Sequence, residues 1–493
     1  MVRCPVVILN RPLRIALLSY RSKPHCGGQG VYVRHLSREL HALGHHVEVF
    51  SGQPYPDLDP GPVLREVPSL DLYRDEDPFR TPHWREYRDW ADLLETAMMW
   101  SGAFPEPLTF SIRALRALAA RAADFDVVHD NQGLGYGMLG VRRLGLPLVT
   151  SIHHPISVDR RIDLASAGRL AALSRRRWYG FVRMQARVAR RVARSGPLIT
   201  VSESSRRDIC RDFRVRPGQV HIIPLGVDTR VFRPREAPRV PGRIVAVASA
   251  DSPVKGIATL LRAVGKLVTD TDARLIIVGK PAPATKRLAA QLSLAGRVTF
   301  THGLADEAFS ALLASAQTAV VPSLYEGFSL PAVEHMASGT PLVASRTGAL
   351  PEVTGDAAVL VTPGDDEELA AVLRRLHDSP GERAALAERA LRRVGERFAW
   401  PAVAQATAGQ YLEAMGRLCL WGGWRRADRR FPPVPGPARP PRARPGLRRR
   451  AARVRGVPPR RGRGRVRPRP GRTDPGDVDV RRDAPGGRGG RVG

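Results

Sequence analysis

From Leu13 onward, short apolar runs alternate with stretches in which apolar residues recur every three or four positions, the rhythm of strands and helices taken in turn. Leu13–Ser19 reads as a first strand, Val31–Gly44 as a helix stopped by a glycine, and His46–Ser51 as a second strand. Further strands are predicted at Asp126–His129, Pro147–His153, Leu198–Ser202 and Val220–Ile223. The Pro- and Asp-rich segment Pro54–Trp90 reads as loop. The Pro/Arg stretch Arg230–Gly242 then looks like a linker. A second alternating series follows, with strands near Ile244–Ala248, Arg274–Val278, Arg297–Thr301, Thr318–Pro322, Pro341–Ala344 and Ala358–Val361. Helices are expected at Asp365–His377, Gly381–Arg397 and Trp400–Arg417.

This alternation is the βαβ signature of a parallel sheet covered on both faces. The expected fold class is therefore α/β, two doubly wound Rossmann-like domains facing across a cleft, where such sheets bind ligands at their carboxyl ends. The expected division is an N-terminal domain over residues 1–228 and a second domain over 229–398, then a helix over 399–420 returning toward the first domain and a basic tail over 421–493. A length of 493 residues, more than one core usually organises, agrees.

Charge changes the picture only at the end of the chain. The net charge is +31, but residues 421–493 hold 23 arginines against 5 aspartates, leaving 55 basic and 42 acidic residues in the first 420. The tail, rich in Arg, Pro and Gly, cannot bury a core and is expected to be disordered; a functional tail and an out-of-frame translation product would share this composition. The remaining body suits a protein that handles phosphates without needing a polymer. Cys4, Cys26, Cys210 and Cys419 share no metal-ligand spacing, so reduced thiols and a cytoplasmic location are expected. The apolar stretch Val6–Leu18 is broken by Arg11, Pro12 and Arg14, and no run approaches the roughly 20 apolar residues of a membrane span. Any contact with a bilayer is expected to be peripheral, at the inner face.

The chemistry concentrates in Ser323-Leu-Tyr-Glu326-Gly327-Phe328-Ser329-Leu330-Pro331-Ala-Val-Glu334, two carboxylates straddling a strand-loop-helix junction. A loop at a strand end exposes Glu326 to the cleft, and Gly327 lets backbone approach a ligand. The helix opening near Leu330 offers free N–H groups to a phosphate, and Glu334, on its first turn, could accept both hydroxyls of a ribose. Two acids near a helix start are also ordinary surface residues. The wider set decides: Gly27-Gly28 before a helix, Gly44-His45-His46-Val47, Thr200-Val-Ser-Glu-Ser-Ser205, Ile222-Ile-Pro-Leu-Gly-Val-Asp228, Pro253-Val-Lys255-Gly256, the paired-glutamate segment and Gly339-Thr-Pro-Leu-Val-Ala344. In this order and spacing, from Leu13 to Arg417, the chain resembles the retaining glycosyltransferases of family 4, which have the two-Rossmann GT-B fold.

The resemblance implies transfer of a sugar from a nucleotide-diphosphate donor to a hydroxyl of a sugar, glycolipid or small-molecule acceptor, without a cofactor. It makes Glu334 the ribose ligand and Glu326 a contact to sugar hydroxyls, with Gly327, Phe328, Ser329 and Leu330 completing the donor site. Lys255 would neutralise the departing diphosphate, Gly28 would let the first domain's loop approach it, and His153 would touch the donor sugar near the reaction centre. A strand-end histidine satisfied by its neighbours is the plainer reading of His153 and His154. One departure stands out: relatives carry an arginine five residues before the lysine, where this chain has Ala250; Arg346 or an arginine of the first domain is a candidate substitute.

No metal is expected. Asp57-Leu-Asp59, Asp75-Glu-Asp77 and Asp477-Val-Asp479 fit a DxD pattern nominally, but none follows a convincing strand, and such pairs are more often solvated loops. The family retains anomeric configuration, by analogy through same-face attack assisted by the leaving phosphate. Arg169–Arg194 carries nine arginines among apolar residues, and as a helix suits an anionic bilayer or a phosphorylated acceptor as well as plain core packing. Two rivals are a nucleotide-sugar epimerase of the same architecture and a nucleic-acid-binding protein acting through the basic tail. The body lacks a base-reading module, so no nucleic acid is expected as partner.

Overall fold

A computed structural model of the chain describes residues 11–23, 28–74, 76–165, 168–248 and 252–420, the last two without their side chains. The expected tail over 421–493, with Asp477 and Asp479, lies outside the described residues, as do Cys4, Cys26, Gly27, Asp75, Ala250 and the side chain of Cys419.

Two parallel sheets carry the fold. The first comprises β1 (Arg14–Ser19), β2 (His46–Ser51), β3 (Val63–Glu66), β4 (Val127–Asn131), β5 (Leu148–Ser151), β6 (Leu198–Thr200) and β7 (Val220–Ile222), in the order β3-β2-β1-β4-β5-β6-β7. The second comprises β8 (Val240–Val247), β9 (Arg274–Val278), β10 (Val298–Thr301), β11 (Ala316–Val321), β12 (Leu342–Ser345) and β13 (Ala358–Val361), in the order β10-β9-β8-β11-β12-β13. The strand order therefore reverses between β1 and β4 in one sheet and between β8 and β11 in the other. All pairings are parallel, with Ile15 beside both Val47 and Val127. Helices cover both faces, which is why the central strands are almost continuously apolar and every residue of β4 is buried.

The helix Gly28–Ala42 and the final helix Trp400–Leu420 cover one face of the first sheet, and one apolar cluster runs from Leu36 and Tyr411 through Trp400 to Phe328 and Val333 of the second lobe. The two chain crossings between lobes lie side by side: Val227 pairs with Ala399, and Val227 N–H donates to Phe398 O at 2.9 Å. Among the described residues, no helix is long and apolar enough to cross a membrane.

The structure corrects several expectations. The segment Pro54–Trp90 is not all loop, since β3 adds an edge strand to β2; three of its four residues are exposed and none is buried, so it lacks an apolar signature. The first helix starts at Gly28 rather than Val31, because its opening Gly-Gln-Gly carries no periodic signal. The expected linker ends inside β8. Arg169–Arg194 is two helices, Arg169–Trp178 and Phe181–Val192, broken at Tyr179-Gly180. The second packs Phe181, Val182, Met184, Val188 and Val192 into the core, whereas the first buries nothing and exposes Leu170 and Leu173.

Candidate active site

Both strand-order reversals open onto one cleft of about 510 Å³, lined by Gly28, His153, Lys255, Glu326 and the start of the Leu330–Ala337 helix, among others. The first sheet supplies Gly28 after β1, Gln132 after β4 and His153 after β5. The second supplies Lys255 after β8 and Glu326 after β11, two neighbouring strands. Crevices of this kind bind ligands because helix starts and loop amides converge there.

Lys255 closes a short turn ended by Gly256, whose φ of 65° and position suit only glycine: a Cβ there would lie 2.0 Å from Pro322 O. Lys255 Nζ lies 2.8 Å from Glu326 Oε1, which also accepts the Ser323 hydroxyl at 2.7 Å. Glu326 is buried, and a carboxylate out of water needs such partners. Ser329, at φ 85°, caps the Leu330–Ala337 helix in a left-handed conformation that non-glycine residues adopt only where the surroundings impose it. The Ser329 hydroxyl and carbonyl accept the Ala332 and Val333 amides and Pro331 has none, so of the opening residues Leu330, in the cleft wall, is the one that keeps its N–H for a ligand. Gly28 faces that start directly: a Cβ built on it would be 4.0 Å from Leu330 Cδ1.

Gly327 marks the contact between lobes. A Cβ there would meet His154 Cβ at 2.7 Å and His153 O at 3.2 Å. Its carbonyl accepts from Ser202 Oγ at 2.7 Å and Ser205 Oγ at 3.1 Å, tying the loop to the first lobe. Glu352 of the second lobe accepts the amides of Glu203 and Ser204 at 3.0 and 3.2 Å, at the start of a first-lobe helix.

His153 Nε2 lies 2.7 Å from Asn131 Oδ1, which can only accept, so Nε2 carries the proton. Nδ1 is then a lone pair, buried and without a partner. Burial and the neighbouring His154 push the imidazole pKa down to about 3, so the ring is neutral and offers an acceptor to a hydroxyl. Behind it runs a buried relay: Tyr411 Oη lies 2.8 Å from His129 Nδ1, His129 Nε2 2.7 Å from Ser151 Oγ, and Ser151 Oγ 3.2 Å from Tyr32 Oη. The Tyr32 ring stands edge-on to His153 at 4.7 Å.

The structure thus brings together Gly28, His153, Lys255, Glu326, Gly327, Ser329 and Leu330. Phe328 also touches the cleft, but its ring is buried edge-on to Phe398 at 5.7 Å and serves the core. Glu334 differs most. It opens the second turn of its helix rather than lying on the first, one turn below Leu330 on the same face, and does not line the cleft. Burial, then the charge of Asp306, push its pKa up to about 7. Arg346 donates to Leu360 O at 3.1 Å, outside the lining, and Lys255 is the only lysine or arginine lining the cleft among the described residues.

Sequence reasoning missed His154 with Asp159, 2.8 Å apart. Burial disfavours the His154 cation, but Asp159 and Glu326 outweigh it and hold its pKa above the ordinary value. It also missed Asn131 and Tyr179, which carry no local signal, and, although the Thr200–Ser205 segment was recognised, the grip of Ser202 and Ser205 on Gly327. Asp59, expected in a solvated loop, is paired with Arg34 and Arg38. Among the described residues no group of three His, Cys, Asp or Glu could hold a metal ion.

Comparison with known proteins gives a consistent picture. A family model described as Glycosyltransferase Family 4 matches residues 26–231, and one described as Glycosyl transferases group 1 matches residues 241–379. The chain is 56% identical to the MMP alpha-(1→4)-mannosyltransferase of Mycolicibacterium hassiacum, with 82% of this chain and 99% of that protein covered. It is 28% identical to a D-inositol 3-phosphate glycosyltransferase of Acidothermus cellulolyticus, covering 82% and 91%. Among solved structures, sucrose-phosphate synthase from Thermosynechococcus elongatus matches with a TM-score of 0.63 at 24% identity, covering 81% of this chain and 98% of that one. Anabaena HepE in complex with UDP and glucose matches with a TM-score of 0.58 at 18% identity, covering 80% and 98%.

Proposed function

The chain belongs to the family 4 glycosyltransferases, of GT-B fold, and on that footing we propose that it is a retaining, metal-independent α-mannosyltransferase. It takes mannose from a nucleotide-diphosphate donor and joins it to the 4-hydroxyl of a sugar acceptor. The observation that carries the reading is the pairing of Lys255 Nζ with Glu326 Oε1 at 2.8 Å, at the strand reversal of the second sheet and in one cleft with His153. Sugar and linkage rest on 56% identity along nearly the whole of a protein named as an alpha-(1→4)-mannosyltransferase. An α-linked product from an α-linked nucleotide sugar is retention.

In the transfer, the bond from the sugar C1 to the diphosphate oxygen breaks and a bond from C1 to the acceptor oxygen forms on the same face. The acceptor proton passes to the departing phosphate oxygen. Negative charge grows on the diphosphate, where Lys255, the Leu330 amide and the positive end of the Leu330–Ala337 helix stabilise it, preorganised and partly out of water. With Lys255 moved to the phosphate, Glu326 is free to accept sugar hydroxyls. His153 Nδ1, neutral and unpartnered, accepts another. Glu334, one turn deeper, receives the ribose diol. Neither the epimerase nor the nucleic-acid reading gains an observation in its favour.

The test offers mannose on each common nucleoside diphosphate together with an α-(1→4)-linked mannose acceptor, with and without a chelator, and assigns the product linkage by NMR. An α-(1→4) product insensitive to the chelator is expected. No transfer from any donor, a β-linked product, or activity abolished by the chelator overturns the reading.

A further inference from the structure

The first lobe displays exposed aromatic rings that the proposed chemistry does not use. Phe79 is 60% and Trp84 71% exposed, five residues apart on one loop. Phe79 also holds a left-handed backbone, φ 65°, an outlier for a bulky residue that persists only where neighbours enforce it. They do: Phe79 N–H donates to Leu72 O at 2.8 Å, and Arg80 Nη1 to Leu70 O at 2.8 Å. A loop clamped this way holds a ring toward solvent at a cost, where the same ring tucked inward would bury apolar area.

Phe79 is joined to the cleft by an unbroken train of rings. It lies 6.0 Å from Trp178; Trp178 lies 4.9 Å from Phe104, Phe104 5.3 Å from Phe181, and Phe181 6.5 Å from Tyr179, which lines the cleft. Phe79 is therefore held in one ring network with the cleft wall, while Trp84, five residues on, packs against His83 and Arg85. Rigid aromatic faces bind flat, C–H-rich surfaces at little entropic cost, and a pyranose ring is such a surface; Glu86, paired with Arg80 and accepting the His83 amide, stiffens the loop that carries them.

We propose that Phe79 and Trp84 form an outer subsite for the acceptor, so that the enzyme grips an oligosaccharide by sugar units beyond the one that receives the mannose. This rests on the reading of the chain as a mannosyltransferase. The exposed rings are also the kind that settle into a lipid surface, but the packing of Phe79 on Trp178, next in the chain to Tyr179 of the cleft wall, favours the glycan.

The experiment measures binding rather than turnover. Methyl α-mannoside and α-(1→4)-linked mannotetraose are titrated by calorimetry into the full-length protein, its Phe79→Ala and Trp84→Ala variants, and Phe79→Tyr, each checked for cooperative unfolding. The tetrasaccharide is expected to bind the wild type more tightly than the monosaccharide. Phe79→Ala should erase roughly three- to tenfold of that advantage, and Phe79→Tyr should keep it. Equal affinities for the two sugars, or an advantage unchanged in both alanine variants, overturns the subsite. So does loss of binding to phosphatidylglycerol vesicles in Phe79→Ala with sugar affinities unaltered. A tetrasaccharide that binds as expected but is never mannosylated defeats the proposed activity and leaves the subsite standing.

Discussion

The hydroxyl of Tyr411, on the last helix, sits 2.8 Å from Nδ1 of His129, in the middle of the first sheet. His129 is fully buried, and burial, then His153, push its pKa down to about 3, so its neutral ring must donate at one nitrogen and accept at the other. That fixes one direction of hydrogen bonding through Ser151 to Tyr32, whose ring supports His153. Tyr411→Phe leaves a buried ring nitrogen unpaired, and denaturant unfolding should show a loss of about 1–3 kcal/mol. Because His153 loses its backing, kcat should also fall by about tenfold or more, with donor affinity little changed. Wild-type kcat in a variant that shows the stability loss removes any role for the relay in the site.

Lys255 and Glu326 make opposite predictions for binding and for turnover. In the free enzyme the ammonium is held by Glu326, so a diphosphate has to compete for it. Glu326→Gln releases Lys255; nucleoside diphosphate should bind several-fold more tightly by calorimetry, while kcat drops because a sugar contact is gone. Lys255→Ala should lower kcat by about 10²–10³, the scale for removing one preorganised charge-stabilising donor. Weaker nucleotide binding in Glu326→Gln would show that the pair does not exchange partners.

Those two residues were legible in the sequence because short segments specify them: a strand end, a glycine, a helix start. Central strands were legible for a similar reason, since burial on both faces gives them unbroken apolar runs, as in Ile15–Leu18 of β1 and, more briefly, Val127-Val128 of β4. Edge strand β3 was not, because half-exposed Val-Leu-Arg-Glu has no such run. Nor were Asn131 under His153 or Glu352 on Ser204, which exist only once elements distant in the chain meet, nor His154 with Asp159, a local pair set by how the chain turns after β5. Glu334 shows the converse: its place in the motif was plain, but its depth below the cleft depends on where the helix begins.

Glu334 gives a pH test. Burial and Asp306 raise its pKa from the ordinary 4.5 to about 7, so the folded protein holds this proton more tightly than the unfolded chain does. Its contribution to stability is therefore full below about pH 4.5 and is lost as pH rises toward 7. Glu334→Gln, which cannot ionise, should be more stable than wild type at pH 8 by on the order of 2 kcal/mol, allowing for the side chain's partial contact with water, and no more stable at pH 4.5. Parallel stability-pH curves for the two proteins would contradict this.

Gly327 tests whether the contact between lobes is needed for turnover. Its carbonyl is gripped by Ser202 and Ser205, and a methyl group on its α-carbon would be pressed to 2.7 Å from His154 Cβ and 3.2 Å from a backbone oxygen. Neither obstacle is the free end of a flexible side chain, so Gly327→Ala has to move the Glu326 loop away from the first lobe. Lys255 and Glu326 would move with it relative to His153, and a displacement of about 1 Å costs on the order of a hundredfold in rate. Gly327 itself contributes no side chain to any core cluster, and the clusters on the far faces of the two sheets do not reach this loop, although its neighbour Phe328 packs in the cluster shared by the lobes. Gly327→Ala should therefore unfold at nearly the wild-type denaturant concentration, bind nucleoside diphosphate through Lys255 with little change, and lose kcat by about a hundredfold. If its kcat stays within a few-fold of wild type, the close approach of Gly327 to His154 is not a condition of the reaction.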